Sequence, residues 1–267
     1  MFIEYLDNLR SLGKRYFTFK QAIQDLKVSI NSVKSGLYRM KNKKKLITPA
    51  KGLYVILPPE HQLQGSIPAE ELVPILMTYL QADYYVSLLS AAIFYGAAHQ
   101  KPARFQIITN KLIKHPLEFG QVTLEVIYKK SLANLPIQGF TVATGYLKVA
   151  SPELIALDLL HYPSRAAGLN HIATVLTELV NAIDVDNLIE LAKQIGEKAW
   201  LQRLGFILEK IDYMNEEKVL LLIDKLQEYL NGKMTVFVPL VSEIRKNGFP
   251  RIKKWRIIEN TNFESDL

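Results

Sequence analysis

The sequence predicts an α+β chain in three sections: a basic N-terminal section of three short helices and a hairpin, a mixed α/β section, and a C-terminal helical section. Three observations predict it. Apolar residues recur at helical spacing three times before Lys41, and two short strand-like runs follow. Runs rich in β-branched and aromatic residues then appear between about 104 and 149. From Ser151 onward the pattern is helical, with cap signals at the helix starts.

Ile3, Leu6 and Leu9 share one helical face in residues 3–12, and Gly13 stops the helix. Thr18 is placed to cap a second helix to about Leu26, with Phe19, Ala22, Ile23 and Leu26 inward. After the short turn Lys27-Val28, Ser29 caps a third helix to about Met40 or Lys41, with Ile30, Val33, Leu37 and Met40 as its apolar stripe. Leu46-Ile47-Thr48, the turn Pro49-Ala50-Lys51-Gly52 and Leu53-Tyr54-Val55-Ile56 read as a hairpin. Three helices with a tight turn before the third, then a hairpin, predict a winged helix-turn-helix.

The opposite face of the third helix carries Asn31, Ser35, Tyr38 and Arg39, flanked by Ser32 and Lys34. These groups donate to base edges and phosphates, and no acidic residue interrupts them. Lys43 and Lys44 at the base of the hairpin and Lys51 in its turn are suited to backbone phosphates. Charge placement supports a nucleic-acid partner. Residues 1–62 hold 12 Lys/Arg against 4 Asp/Glu, a net of +8, within a chain of net +7. The other 205 residues hold 21 against 22 and are near neutral.

Residues 57–69, with three prolines and a glycine, read as a linker. Two domains follow, 1–62 and 70–267, an expected size for 267 residues. In the second, a helix is predicted over 70–82, with Pro74 near its first turn, and a buried helix over 84–97 capped by Asp83. Strands are predicted over 104–109, 121–128 and 138–149. Ser151-Pro152-Glu153 opens a helix to about His161, and helices follow near 169–182, 187–195, 198–211 and 216–230, with Asp186 and Asn215 as caps. A basic cluster around Trp255 closes the chain: Arg245, Lys246, Arg251, Lys253, Lys254 and Arg256.

Several function classes are disfavoured. The chain has no cysteine, which excludes disulfides, thiolate zinc sites and thiol catalysis. No P-loop, dinucleotide, nucleophile-elbow or zincin motif occurs, so no cofactor is expected and a binding protein is favoured over an enzyme. Asp184-Val185-Asp186 resembles the metal-binding carboxylates of nucleotidyltransferases, but the Gly-Ser turn those enzymes need upstream is missing. Asp158 and Arg203, on mostly apolar helices, are placed to form a buried pair. His99-Gln100-Lys101, with Ser87, Tyr95 and Arg104, is either a polar site or a helix C-terminus satisfied by its own side chains. No apolar run suits a membrane span and no signal-peptide pattern opens the chain, so a cytoplasmic protein is expected.

Taken together, several stretches resemble the AbiEi antitoxins of the AbiE abortive-infection systems. They are Tyr84-Tyr85-Val86-Ser87-Leu88-Leu89-Ser90-Ala91-Ala92 leading to Tyr95-Gly96-Ala97-Ala98-His99-Gln100-Lys101-Pro102, then Ser151-Pro152-Glu153, Ala156-Leu157-Asp158-Leu159, Gly168-Leu169-Asn170-His171-Ile172-Ala173-Thr174-Val175-Leu176, and Gln202-Arg203-Leu204-Gly205. The resemblance implies an autorepressor whose winged helix binds inverted repeats in double-stranded promoter DNA. It also implies a C-terminal domain that counteracts a nucleotidyltransferase-like toxin without a stable complex, the type IV arrangement. The DNA contacts then map to Asn31, Ser32, Lys34, Ser35, Tyr38, Arg39 and Lys51. A second surface, antitoxin or nucleic-acid, is placed on His99, Lys101, Arg104, Arg245, Lys246, Lys253 and Lys254. The alternatives are a winged-helix transcription factor whose body binds a ligand or protein partner, and a nucleic-acid-processing enzyme.

Overall fold

A computed structural model describes residues 1–98, 100–211 and 216–264, and it is a mixed α+β structure. The chain folds into two compact units. The first takes in Met1–Tyr85, Ala103–Leu132 and Gly139–Lys148; the second takes in Val86–Pro102, Ala133–Gln138 and the chain from Val149 on.

The first unit begins with α1 (Phe2–Ser11), β1 (Tyr16–Thr18), α2 (Phe19–Leu26), α3 (Ile30–Asn42), β2 (Leu46–Ala50) and β3 (Leu53–Ile56). Thr18 caps α2 reciprocally: Gln21 N–H donates to its Oγ1 at 3.2 Å, and its own N–H donates to Gln21 Oε1 at 2.7 Å. Ser29 caps α3 by accepting from Ser32 N–H at 3.2 Å. The strands form an antiparallel sheet in the order β1-β3-β2. Phe17, buried in β1, stacks on Tyr54 at 5.5 Å and meets Tyr5 edge-on at 5.4 Å, which joins sheet and helices in one core with Leu6, Val33, Leu37 and Met40.

Four details depart from the expected pattern, the first being Ile3 of α1, which is 43% exposed while Phe2 and Tyr5 join Leu6 and Leu9 inward. Ile30 is 53% exposed, since the first residue of α3 lies beyond the core, while Gly36 is buried on the inward stripe. The three-residue β1 pairs with β3; a strand this short carries no readable alternation. Pro49 lies within β2 rather than in the turn, on an edge strand with a register shift between Ile47 and Ala50, where a missing N–H is tolerated.

The Pro-rich segment 57–69 is packed, with Leu57, Ser66 and Ile67 buried, and it leads into α4 (Ala69–Leu80). Pro74 is the sixth residue of α4, in its second turn rather than its first. The helix expected over 84–97 forms only in part, as Leu88–Ala92 followed by a 3-10 turn over Ile93–Tyr95; its first residues are strand β4 (Tyr84–Val86), and Asp83 caps nothing there. Asp83 instead donates its N–H to Asn110 Oδ1 at 3.0 Å and accepts from Thr109 Oγ1 at 2.6 Å and Asn110 Nδ2 at 3.1 Å. Tyr-Tyr-Val suits a strand buried on both faces, and such a run has no polar side to reveal its period.

The remaining strands are β5 (Phe105–Thr109), β6 (Leu117–Phe119), β7 (Val122–Tyr128), β8 (Ile137–Val142) and β9 (Gly145–Ala150), in a sheet ordered β6-β7-β5-β4-β9-β8. β5 and β7 run parallel from Phe105↔Leu124 to Thr109↔Tyr128. The single strand expected over 138–149 is the hairpin β8–β9. The chain passes between the two units within β4, β8 and β9, and also after Pro102 and after Leu132.

The second unit is largely helical: α5 (Leu88–Ala92), α6 (Pro152–His161), α7 (Leu169–Leu179), α8 (Val185–Ile195), α9 (Ala199–Leu208) and α10 (Glu216–Leu230). Ser151 caps α6, and every residue from Pro152 to Leu160 is buried. Asp184, not Asp186, caps α8, accepting from Asn187 N–H at 2.9 Å; the cap residue must precede the helix, and α8 starts at Val185. Asn215 lies outside the described residues. A small sheet of β10 (Val238–Pro239), β11 (Arg251–Ile252) and β12 (Ile257–Ile258), ordered β10-β12-β11, packs on α9. A Cβ at Gly205 of α9 would lie 2.2 Å from the buried Trp255 ring, so only glycine admits the indole there.

Candidate nucleic-acid interface

The outward face of α3 is set by its inward one. Val33, Gly36, Leu37 and Met40 are buried, which turns Asn31, Ser32, Lys34, Ser35, Tyr38 and Arg39 to the surface. These six residues line an open groove of about 730 Å³, together with Met1 and Phe2 at the start of α1. Gly36 lets α1 approach: a Cβ there would stand 2.2 Å from the Phe2 ring.

The groove is chemically unspent. Tyr38 is 66% exposed. Among the described residues, the side chains of Asn31, Lys34, Tyr38 and Arg39 make no hydrogen bond to the rest of the chain, and Ser32 shares only Ser29 Oγ at 2.9 Å. From Leu26 to Pro59 there is no acidic residue and there are eight Lys/Arg. The nearest carboxylate before this stretch is engaged, since Tyr5 OH donates to Asp25 Oδ2 at 2.9 Å. Burial first, then the hydrogen bond to Asp25 and last its charge, hold the Tyr5 hydroxyl far above its usual pKa.

Lys43 closes α3, and Lys43 and Lys44 are exposed beside its C-terminus. Lys51 is exposed at the β2–β3 turn. The turn is held from below by a contact that sequence reasoning missed: Tyr79 of α4 donates its hydroxyl to the Lys51 carbonyl at 2.8 Å. Gly52, at φ +86, completes the turn, and a Cβ there would lie 2.9 Å from the Tyr79 oxygen. The mid-helix glycine Gly36 was a visible signal for the Phe2 contact; nothing local in the sequence marks Tyr79.

The second group of predicted residues is divided between the two units. His99 lies outside the described residues. Lys101 is exposed in the second unit and Arg104 in the first. Arg245, Lys246 and Lys253 are exposed, but Lys254 is ion-paired with Glu209, whose other oxygen accepts from Trp255 Nε1 at 2.6 Å. Trp255 is fully buried, so the tail cluster surrounds a core residue. The expected Asp158–Arg203 pair is replaced by other partners. Asp158 accepts from Ser87 Oγ at 2.7 Å, and Arg203 Nε donates to the Pro239 carbonyl at 3.0 Å. Burial lowers the Arg203 pKa, opposed by the Glu243 charge. Among the described residues no group of three His, Asp or Glu is placed to hold a metal ion, and no helix is long and apolar enough to cross a membrane.

Residues 85–210 match the family model of the AbiEi antitoxin C-terminal domain. This segment belongs to the AbiEi antitoxin family. An AbiEi domain supports an antitoxin role for the chain that carries it. No curated protein matches the chain. Among solved structures, the crystal structure of the RV2827C protein from Mycobacterium tuberculosis is similar in fold, with a TM-score of 0.68 at 15% identity, covering 95% of this chain and 89% of that one.

Proposed function

We propose that this AbiEi-family chain is a DNA-binding autorepressor and an antitoxin that counteracts a nucleotidyltransferase-like toxin without a stable complex. In this reading residues 1–62 are a winged helix-turn-helix and residues 70–267 carry the antitoxin function. It acts as a binding protein rather than an enzyme, in the cytoplasm, where promoter and toxin are found. One observation carries the DNA half: the α3 face groups Asn31, Ser32, Lys34, Ser35, Tyr38 and Arg39 around one open groove with no carboxylate among them. Such a face presents both base-reading and phosphate-binding donors. The β2–β3 hairpin is the wing, with Lys51 as its phosphate contact. The antitoxin half rests on the family match over 85–210.

The DNA half is tested by a mobility-shift assay with the duplex upstream of the gene, at about 0.1 M salt so that non-specific binding is screened. The expected result is a shift by the wild type. Tyr38→Ala or Arg39→Ala should each cost about 1–3 kcal/mol against the specific duplex and less against a scrambled one. Equal affinity for both duplexes would discard the operator reading. The antitoxin half is tested separately, by co-expression with the neighbouring gene product and growth measurement.

A further inference from the structure

The second unit contains a cleft that the α3 interface does not use. Its volume is about 380 Å³, in the range of small-molecule sites. It is lined by the N-terminal end of α6, by one face of α8 from Asp184 to Gln194, by Tyr95 and by the segment 134–138. Three carboxylates line it, Glu153, Asp184 and Glu190, and no Lys, Arg or His does. The other polar groups are neutral, among them Tyr95, Gln138 and Gln194.

Glu153 indicates what the cleft takes. It is only 3% exposed. Its Oε1 accepts the Asp184 N–H at 2.8 Å, and its charge, after burial, helps push the Tyr95 hydroxyl up to about 12. Asp184 and Tyr95 both line the cleft, so the carboxylate lies at its wall. Among the described residues no hydrogen bond reaches the other oxygen, and no basic side chain pairs with Glu153. Buried carboxylates are ordinarily matched by a cation or several donors, because desolvation is otherwise uncompensated. The N-termini of α6 and α8 supply about half an elementary charge each, less than three carboxylates require. Glu190 has Lys193 at 3.6 Å, but in an exposed pair of little strength.

The occupant is not a bare metal ion, since the carboxylates are not grouped for one. A group with several N–H donors fits better. Gln194 donates its Nε2 to the Asn134 carbonyl at 2.9 Å, which leaves its Oε1 to accept, and the Gln138 side-chain oxygen is an acceptor too. We propose that this cleft binds an organic cation, an alkylammonium or guanidinium group, with the Glu153 carboxylate as its counter-ion.

The test is isothermal titration of the full-length protein with putrescine, with free arginine, and with a terminally blocked lysine dipeptide. The first two probe free small cations; the third probes a basic side chain presented by a polypeptide. Binding of any of them by the wild type is expected, weakened at least about tenfold by Glu153→Gln. Glutamine retains the shape and can still accept the Asp184 N–H, and a denaturant melt shows whether that variant folds. Glu190→Gln, on the exposed side of α8, should weaken binding by about threefold and serves if Glu153→Gln does not fold. No binding of any probe at millimolar concentration overturns the proposal. So does affinity unchanged in the folded variants.

Discussion

Gly36 and Tyr5 show how single residues shape the surroundings of α3. A side chain at position 36 would drive its Cβ into the Phe2 ring, which is itself 7% exposed and has little room to yield. Gly36→Ala is therefore expected to cost about 1–3 kcal/mol in a urea melt, as overpacking does. Phe2→Leu in the same chain should recover part of that loss, and absence of recovery would place the strain elsewhere. Tyr5 gives a pH dependence with a definite sign. Its folded-state pKa is raised above the unfolded value of about 10, so the folded form holds the proton more tightly. The stabilisation is complete below about pH 10 and is lost as the pH climbs toward the raised value. Tyr5→Phe should flatten the alkaline fall in stability, measured by denaturant melts from about pH 8 to 11. Tyr54 and Tyr84, also raised by burial, keep the rest of the fall in place.

At the scale of elements, the β2–β3 hairpin depends on α4. The Tyr79–Lys51 bond fixes the backbone that carries the Lys51 side chain. In the DNA-binding reading, Tyr79→Phe should weaken binding to specific and scrambled duplexes alike, and should do so less than Lys51→Ala. Lys51→Ala should also lower the salt dependence by about one counterion, while a base-reading change such as Arg39→Ala should alter the sequence preference. A loss confined to the specific duplex in Tyr79→Phe would argue against a phosphate-positioning wing.

Elements also differ in how far their residues disclose them. Helices α1, α2 and α3 are legible because each has one apolar stripe and because Thr18 and Ser29 mark the starts by their own hydrogen bonds. The six groove residues of α3 follow from that register alone. β4 is not legible: Tyr84-Tyr85-Val86-Ser87-Leu88 is apolar almost all round, and a strand buried on both faces has the same pattern as a buried helix. What decides between them is Asp83 binding Thr109 and Asn110, some 26 residues away, which no local pattern carries. At α8, Asp184 and Asp186 offer two chemically equal caps, and only the observed helix start separates them. The tail shows the same limit for a surface. Its lysines and arginines cluster in the sequence, while Glu209, which neutralises Lys254 and holds Trp255, comes from the C-terminal cap of α9.

For the molecule as a whole, charge is unevenly divided, with the basic excess in the first 62 residues and a near-neutral remainder. The six groove residues lie in the first unit, and the acidic cleft lies wholly in the second. The family match spans residues of both units, since 85–210 includes β5 and β7 as well as α6 to α9. Both tryptophans of the chain, Trp200 and Trp255, are fully buried, and both belong to the second unit. Intrinsic tryptophan fluorescence is therefore a selective optical probe of that unit, since no indole belongs to the first. Unfolding followed at 295 nm excitation should report the second unit alone, while far-ultraviolet dichroism reports both; midpoints that differ between the two signals would mean the units melt separately. Addition of operator duplex should leave the emission maximum unmoved if binding is felt only at the α3 face. A blue or red shift would instead be direct optical evidence that a signal from DNA reaches the second unit.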